Sequence, residues 1–104
     1  MGKAVGIIEV YGLAAAFVAL DAGCKAANVT AEHFDKNKPA NADALPVPLI
    51  VCIKFRGSVS DVNAAVEAAA DAAAKVSGVV SKHVIANVEE STEKMLKLNA
   101  FDKN

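Results

Sequence analysis

The sequence predicts an α+β (α/β) fold of order β-α-β-β-α-β, a four-stranded antiparallel sheet with its helices on one face, followed by a short C-terminal helix. Two observations carry that expectation. Val5–Val10 is an apolar strand that breaks at Tyr11-Gly12 and runs on through an Ala-rich helical stretch to Ala27-Asn28-Val29. The same plan returns at Leu49–Phe55, which meets Arg56-Gly57, enters a second Ala-rich helix and reaches another strand at Val79. Two such units in tandem make the split-βαβ, or ferredoxin-like, arrangement.

Composition narrows the function classes. The 104 residues suit one domain, 1–104, with an extended loop at 35–48 and a C-terminal helix at about 88–98. Eleven Lys and Arg nearly balance twelve Asp and Glu, so no strong field invites nucleic acid or an anionic membrane. With one Tyr and no Trp, the sheet offers few platforms for stacking bases. Much of the 54% apolar content is Ala, which favours flat, close packing of helix on sheet or of subunit on subunit. The zones of a signal peptide and a membrane-length apolar run are both missing, so the expectation is a cytoplasmic chain. In that compartment Cys24 and Cys52 are expected as free buried thiols rather than a disulfide.

The first strand, Lys3–Val10, alternates with both faces partly apolar, as for an interior strand. Gly6 within it predicts close approach by a neighbour, and Gly12 predicts a turn at positive φ. Leu13–Asn28 is the first helix, with Leu13, Phe17, Leu20 and Cys24 as its expected buried stripe. Asp21 and Lys25 stand four apart, Lys25 complements the helix's negative end, and Asn28 is the expected C-terminal cap. Val29–Phe34 is the second strand. His33 has no companion at metal-ligand spacing, so no metal role is assigned to it.

Asp35–Pro48 contains every proline of the chain and has no periodicity, which predicts a loop. Leu49–Arg56 is a strand with Leu49, Val51, Ile53 and Phe55 on its apolar face and Ile50, Cys52, Lys54 and Arg56 opposite. Ser58–Ser77 is the second helix, capped by Ser58 or Ser60, with Val59, Val62, Val66, Ala69, Ala70 and Ala73 inside. Asn63, Glu67, Asp71 and Lys75 mark its solvated side. Gly78 ends it, Val79–Ile85 is the fourth strand, and Asn87-x-x-Glu90 predicts the start of a short amphipathic helix.

Three blocks, taken in order, resemble the bacterial microcompartment shell-protein family. They are Gly6–Ala16, then Asp21-Ala22-Gly23-Cys24-Lys25-Ala26-Ala27-Asn28-Val29, then Arg56-Gly57 with Val62–Ala68 and Val80–Ile85. The resemblance implies a single-domain subunit of a homohexamer, a flat tile with a central pore for small metabolites that packs with other shell proteins. It also makes encapsulated enzymes a class of partner. By position it implies pore-lining residues in the long loop: Lys38, Pro39, Ala40, Asn41, Ala42, Asp43, Ala44, Leu45 and Pro46. The family's short Gly-rich pore turn is replaced here by a longer, glycine-free segment, so only the position transfers. The resemblance also implies tile-edge contacts at Lys25 and Asn28, and a structural rather than catalytic place for His83. Where the family often has Pro-Arg-Pro, this chain has Ala86-Asn87-Val88 and lacks the edge arginine.

Shell proteins of glycyl-radical-enzyme compartments are one type within the resemblance. Some of them hold an iron–sulfur cluster through a pore-loop cysteine, and this loop has none. No cofactor, metal or catalytic residue is expected: the sequence has no activated nucleophile, phosphate-cradling loop or Cys/His cluster. The alternative reading is a small-ligand-binding regulator of ferredoxin-like fold.

Overall fold

The computed structural model describes residues 4–32, 34–38, 40–44 and 47–97. Its central strand is β1 (Ala4–Tyr11), which pairs antiparallel on one side with β4 (Ile50–Gly57) and on the other with β5 (Val79–Ile85). Beyond β4 lie two short segments, β2 (Thr30–Ala31) and β3 (Asp35–Asn37), both antiparallel to it. The order β2-β4-β1-β5 is that of the split-βαβ fold, with β3 sharing the edge position of β2.

That edge differs from the sequence expectation. Asp35-Lys36-Asn37 belong to the strand although they were expected in the loop: Asp35 pairs with Cys52 and Asn37 with Ile50. Between Ala31, opposite Phe55, and Asp35, opposite Cys52, the edge gains one residue over β4. An extra residue of this kind bends and twists an edge strand, the effect of a bulge. A second irregularity lies in β5, where Val80 is the extra residue between the partners of Glu9 and Val10.

Two helices cover one face of the sheet. α1 (Leu13–Ala26) starts at Gly12, whose φ of 87° is open to glycine at little cost, and whose N–H donates to Leu49 O at 2.8 Å. α2 (Val59–Val76) is capped by Ser58, whose Oγ accepts from Asp61 N, and it ends at Ser77 before Gly78. The core holds Ile8, Val10, Val51, Ile53, Phe55 and Val62, all fully buried. β1 meets α2 at Gly6, where a Cβ would stand 2.5 Å from Val66 Cγ2 and 2.6 Å from Val62 Cγ1. The close approach expected there is real, and its cause is the valine ridge of α2.

Of the expected stripe on α1, only Leu20 packs against the core, half-buried. Ala15, Ala16, Ala19 and Gly23 face inward, whereas Leu13, Phe17 and Cys24 are exposed. The reason is proximity to α2. A Cβ on Gly23 would lie 2.7 Å from Phe55 Cε1 and 3.1 Å from the Ala65 carbonyl, so only small residues fit that seam. Cys24 is accordingly an exposed free thiol rather than a buried one, and Cys52 is half-buried. On α2, Val59 is exposed instead of buried, because it stands in the first turn beyond the sheet's end. α1 also stops sooner than expected: Ala27 is extended at φ −153°, so Asn28 is not its cap.

The opposite face of the sheet, called the outer face below, carries α3 (Glu90–Leu96). Its N-cap is Glu89, whose carboxylate accepts from the N–H groups of Ser91 and Thr92, and not Asn87.

Candidate functional site

Strand alternation sorts the polar residues. Even positions of β1 face the helices, as Gly6 does, and odd positions face outward with Ile50, Cys52, Lys54 and Arg56 of β4. Outward from β4, the Arg56 side chain is 11% exposed and grips two carboxylates. Its Nε and Nη2 donate to Glu32 Oε1 at 3.1 and 2.8 Å. Its Nη1 and Nη2 donate to Glu93 Oε2 and Oε1 at 3.0 and 2.6 Å. Lys54 is 3% exposed and donates to the Leu96 carbonyl at 2.6 Å. These contacts join β4, the end of β2 and α3. Sequence reasoning had put Lys54 and Arg56 on the outward face without a role. The available signal was their alternation on an otherwise apolar strand, with Glu89, Glu90 and Glu93 downstream.

Further along the same face a shallow cavity is lined by Glu9, Asp35, Lys36, Asn37, Ile50 and Cys52. Burial pushes the Cys52 thiol up to about 11, helped by the charges of Glu9 and Asp35 and opposed by Lys54, so it is a poor nucleophile and a poor ligand. Glu9 accepts from Ser81 Oγ at 2.6 Å. Among the described residues no group of three or more His, Cys, Asp or Glu is placed to hold a metal ion. No helix among them is long and apolar enough to cross a membrane.

The sequence-derived site residues fall at the two ends of the molecule. Lys25 and Asn28 lie at the end where β4 closes on Gly57. Lys25 bonds Asp21 at 2.7 Å, and this hydrogen bond and charge hold its ammonium above its ordinary pKa. The Asn28 N–H donates to Asp61 Oδ1 at 3.3 Å, which ties the exit of α1 to the start of α2. The 38–49 connection lies at the other end, beside Tyr11 and Gly12: Val47 Cγ1 is 3.1 Å from where a Gly12 Cβ would be. Within it Ala42–Ala44 form a turn of 3-10 helix, and Lys38, Ala40, Asn41, Asp43 and Ala44 are exposed. His33, Pro39, Leu45 and Pro46 lie outside the described residues, as does the side chain of Ala42.

What remains is surface. Phe17, 57% exposed, meets Phe34 at a centroid distance of 5.2 Å with the ring planes tilted by 58°, and with Leu13 it forms an apolar flank beside the β2–β3 edge. On the opposite flank β5 is the other edge strand, with Val80 exposed.

These features define a split-βαβ domain with an apolar flank at one sheet edge and β5 at the other. Comparison with known proteins sharpens that class. The BMC domain matches residues 4–88, and the chain belongs to the BMC-domain family of bacterial microcompartment shell proteins. It is 36% identical over 98 residues to carboxysome shell protein CcmK1 of Thermosynechococcus vestitus, covering 92% of this chain and 79% of that one. Carboxysome shell protein CcmK2 of Synechococcus elongatus is 38% identical, with 92% and 87% covered. Bacterial microcompartment shell protein PduA of Salmonella typhimurium is 36% identical, with 90% of each chain covered. A solved microcompartment protein from Desulfitobacterium hafniense has the same fold at TM-score 0.72 and 23% identity, and the chain spans 48% of its length.

Proposed function

We propose that this chain forms closed homohexameric tiles with a central pore, and that these tiles, packed with other shell proteins, build the shell of a bacterial microcompartment in the cytoplasm. One observation carries the reading: the two flanks at opposite edges of the sheet are unlike. The Leu13–Phe17–Phe34 flank and the β5 edge with Val80 offer unlike surfaces, so contact between copies runs head to tail. Head-to-tail contact generates a ring when its rotation closes. An apolar flank and an uncovered seven-residue edge strand are features that a partner is expected to cover.

The two ends suit the two perimeters of such a ring. The 38–46 segment is assigned to the pore, where Lys38 and Asp43 set the charge of its rim. Lys25 and Asn28 are assigned to the tile edge, and residues 1–104 to one shell domain. Enzymes enclosed by the shell are the further partners of this reading. Native mass spectrometry tests it: the expected mass is that of six chains, and Phe17→Asp is expected to release folded single chains. A native chain that stays monomeric or dimeric at micromolar concentration refutes the ring.

A further inference from the structure

The outer face carries a helix that the fold does not bury. No residue of α3 is buried, and Met95 is 63% exposed. Polar contacts fasten α3 to the sheet. Arg56 takes both oxygens of the Glu93 carboxylate, and Lys54 takes the carbonyl of Leu96. Those two acceptors are three residues apart and therefore on one side of the helix, so the sheet grips α3 along a single line. Arg56 also keeps Glu32, which belongs to the sheet edge. Its guanidinium therefore retains a carboxylate if Glu93 departs.

Only residues 86–89 separate α3 from the end of β5, and the helix carries its own cap in Glu89. A helix of seven residues has too few internal hydrogen bonds to persist alone in water, so undocking and melting are a single event. The sheet beneath has its own core on the other face, formed with α1 and α2.

We propose that α3 is a strap that opens and recloses over the outer face of β4 while the sheet stays folded, fastened by the Arg56–Glu93 and Lys54–Leu96 contacts. Opening uncovers the Lys54 ammonium and the arm of Arg56 that held Glu93, on a face that also carries Glu9, Glu32 and Asp35. Salt favours the open form, since the Glu93 side chain is 39% exposed and its attraction to Arg56 is screened. All of these contacts lie within one chain.

Amide hydrogen exchange on the full chain, read by mass spectrometry, tests the strap. The native protein is compared with Glu93→Gln and with Lys94→Gln, at low salt and at about molar salt, where the screening length is about 3 Å. Amides of residues 90–96 are expected to exchange about tenfold faster in Glu93→Gln, which replaces the carboxylate by an uncharged amide and removes the ion pair with Arg56. A rise of the same sense is expected for the native chain at high salt, with β1 and β4 amides unchanged in both. Lys94→Gln, on the solvent side, is expected to leave the exchange of α3 as it is. The proposal is overturned if α3 amides exchange only in step with β1 and β4, or lack protection at low salt. It is equally overturned if neither Glu93→Gln nor salt moves them, or if Lys94→Gln frees the helix as much as Glu93→Gln.

Discussion

Gly23→Ala sets two effects against each other, and the structure decides between them. Alanine is favoured over glycine inside a helix by about 1 kcal/mol, so on an open helix face the change would stabilise. Here the new methyl would meet Phe55, at 2.7 Å from Cε1 and in contact with Cζ, and would stand 3.1 Å from the Ala65 carbonyl. Phe55 is fully buried and Ala65 belongs to the backbone of α2, so neither neighbour yields easily. Ordinary contact requires α1 to withdraw, and that withdrawal loosens the seam at Ala15, Ala16 and Ala19 as well. Overpacking of a filled core costs about 1–3 kcal/mol, and this site calls for the upper end. Subtracting the helix gain leaves a net destabilisation of about 2 kcal/mol, roughly thirtyfold in the folding equilibrium. Urea unfolding at one fixed protein concentration checks it: the midpoint falls by about 1 to 2 M while the slope stays the same. Phe55→Leu in the Gly23→Ala background should return part of the loss, because it removes the ring that the methyl strikes. A Gly23→Ala chain more stable than the parent would refute the close seam altogether.

Lys25→Ala, which breaks an exposed pair with Asp21, should leave stability and the hexamer unchanged and weaken the packing of tiles into sheets, as seen by electron microscopy. Replacing residues 38–46 by a Gly-Ser-Gly turn should preserve the hexamer mass and alter the passage of small anions through assembled shells; unchanged permeability would remove the loop from the pore. Alkylation at about pH 8 should modify exposed Cys24 and spare Cys52 until denaturant is added. Because burial raises the Cys52 pKa from 9.0 to about 11, the folded chain holds that proton longer than the unfolded one. The thiol's contribution to stability is therefore complete below about pH 9 and lost as pH climbs toward 11, a decline that Cys52→Ala should flatten when urea midpoints are compared.

Much of the architecture was legible because it rests on local rules. Alternation located β1 and β4, Gly12 marked a turn at positive φ, Gly78 marked the end of α2, and Ser58, one of the two expected caps, starts that helix. Periodicity failed on α1 for a definite reason. A stripe of large apolar residues announces a helix face that seeks cover, and size alone suggested that the cover was the core. The core side is instead chosen by what fits beside α2, which is Ala and Gly, and Leu13 and Phe17 are left for the flank. Asp35-Lys36-Asn37 are poor strand formers recruited by the ladder of β4, a long-range effect that no local window reveals. The Arg56 network was out of reach for a similar reason: its partners are 24 and 37 residues away.

The seam of Ala15, Ala16, Ala19 and Gly23 also sets a dimension. Helices that touch through side chains no larger than a methyl lie low on the sheet, and the shortest principal extent of the molecule is 20 Å. For a subunit of a shell, depth is transport resistance. In the proposed tile, with this short axis across the wall, a solute passing the central opening leaves bulk water for only a short stretch. Selectivity in such a wall then falls to the width and charge of the opening, because there is no long tunnel to sort what enters it.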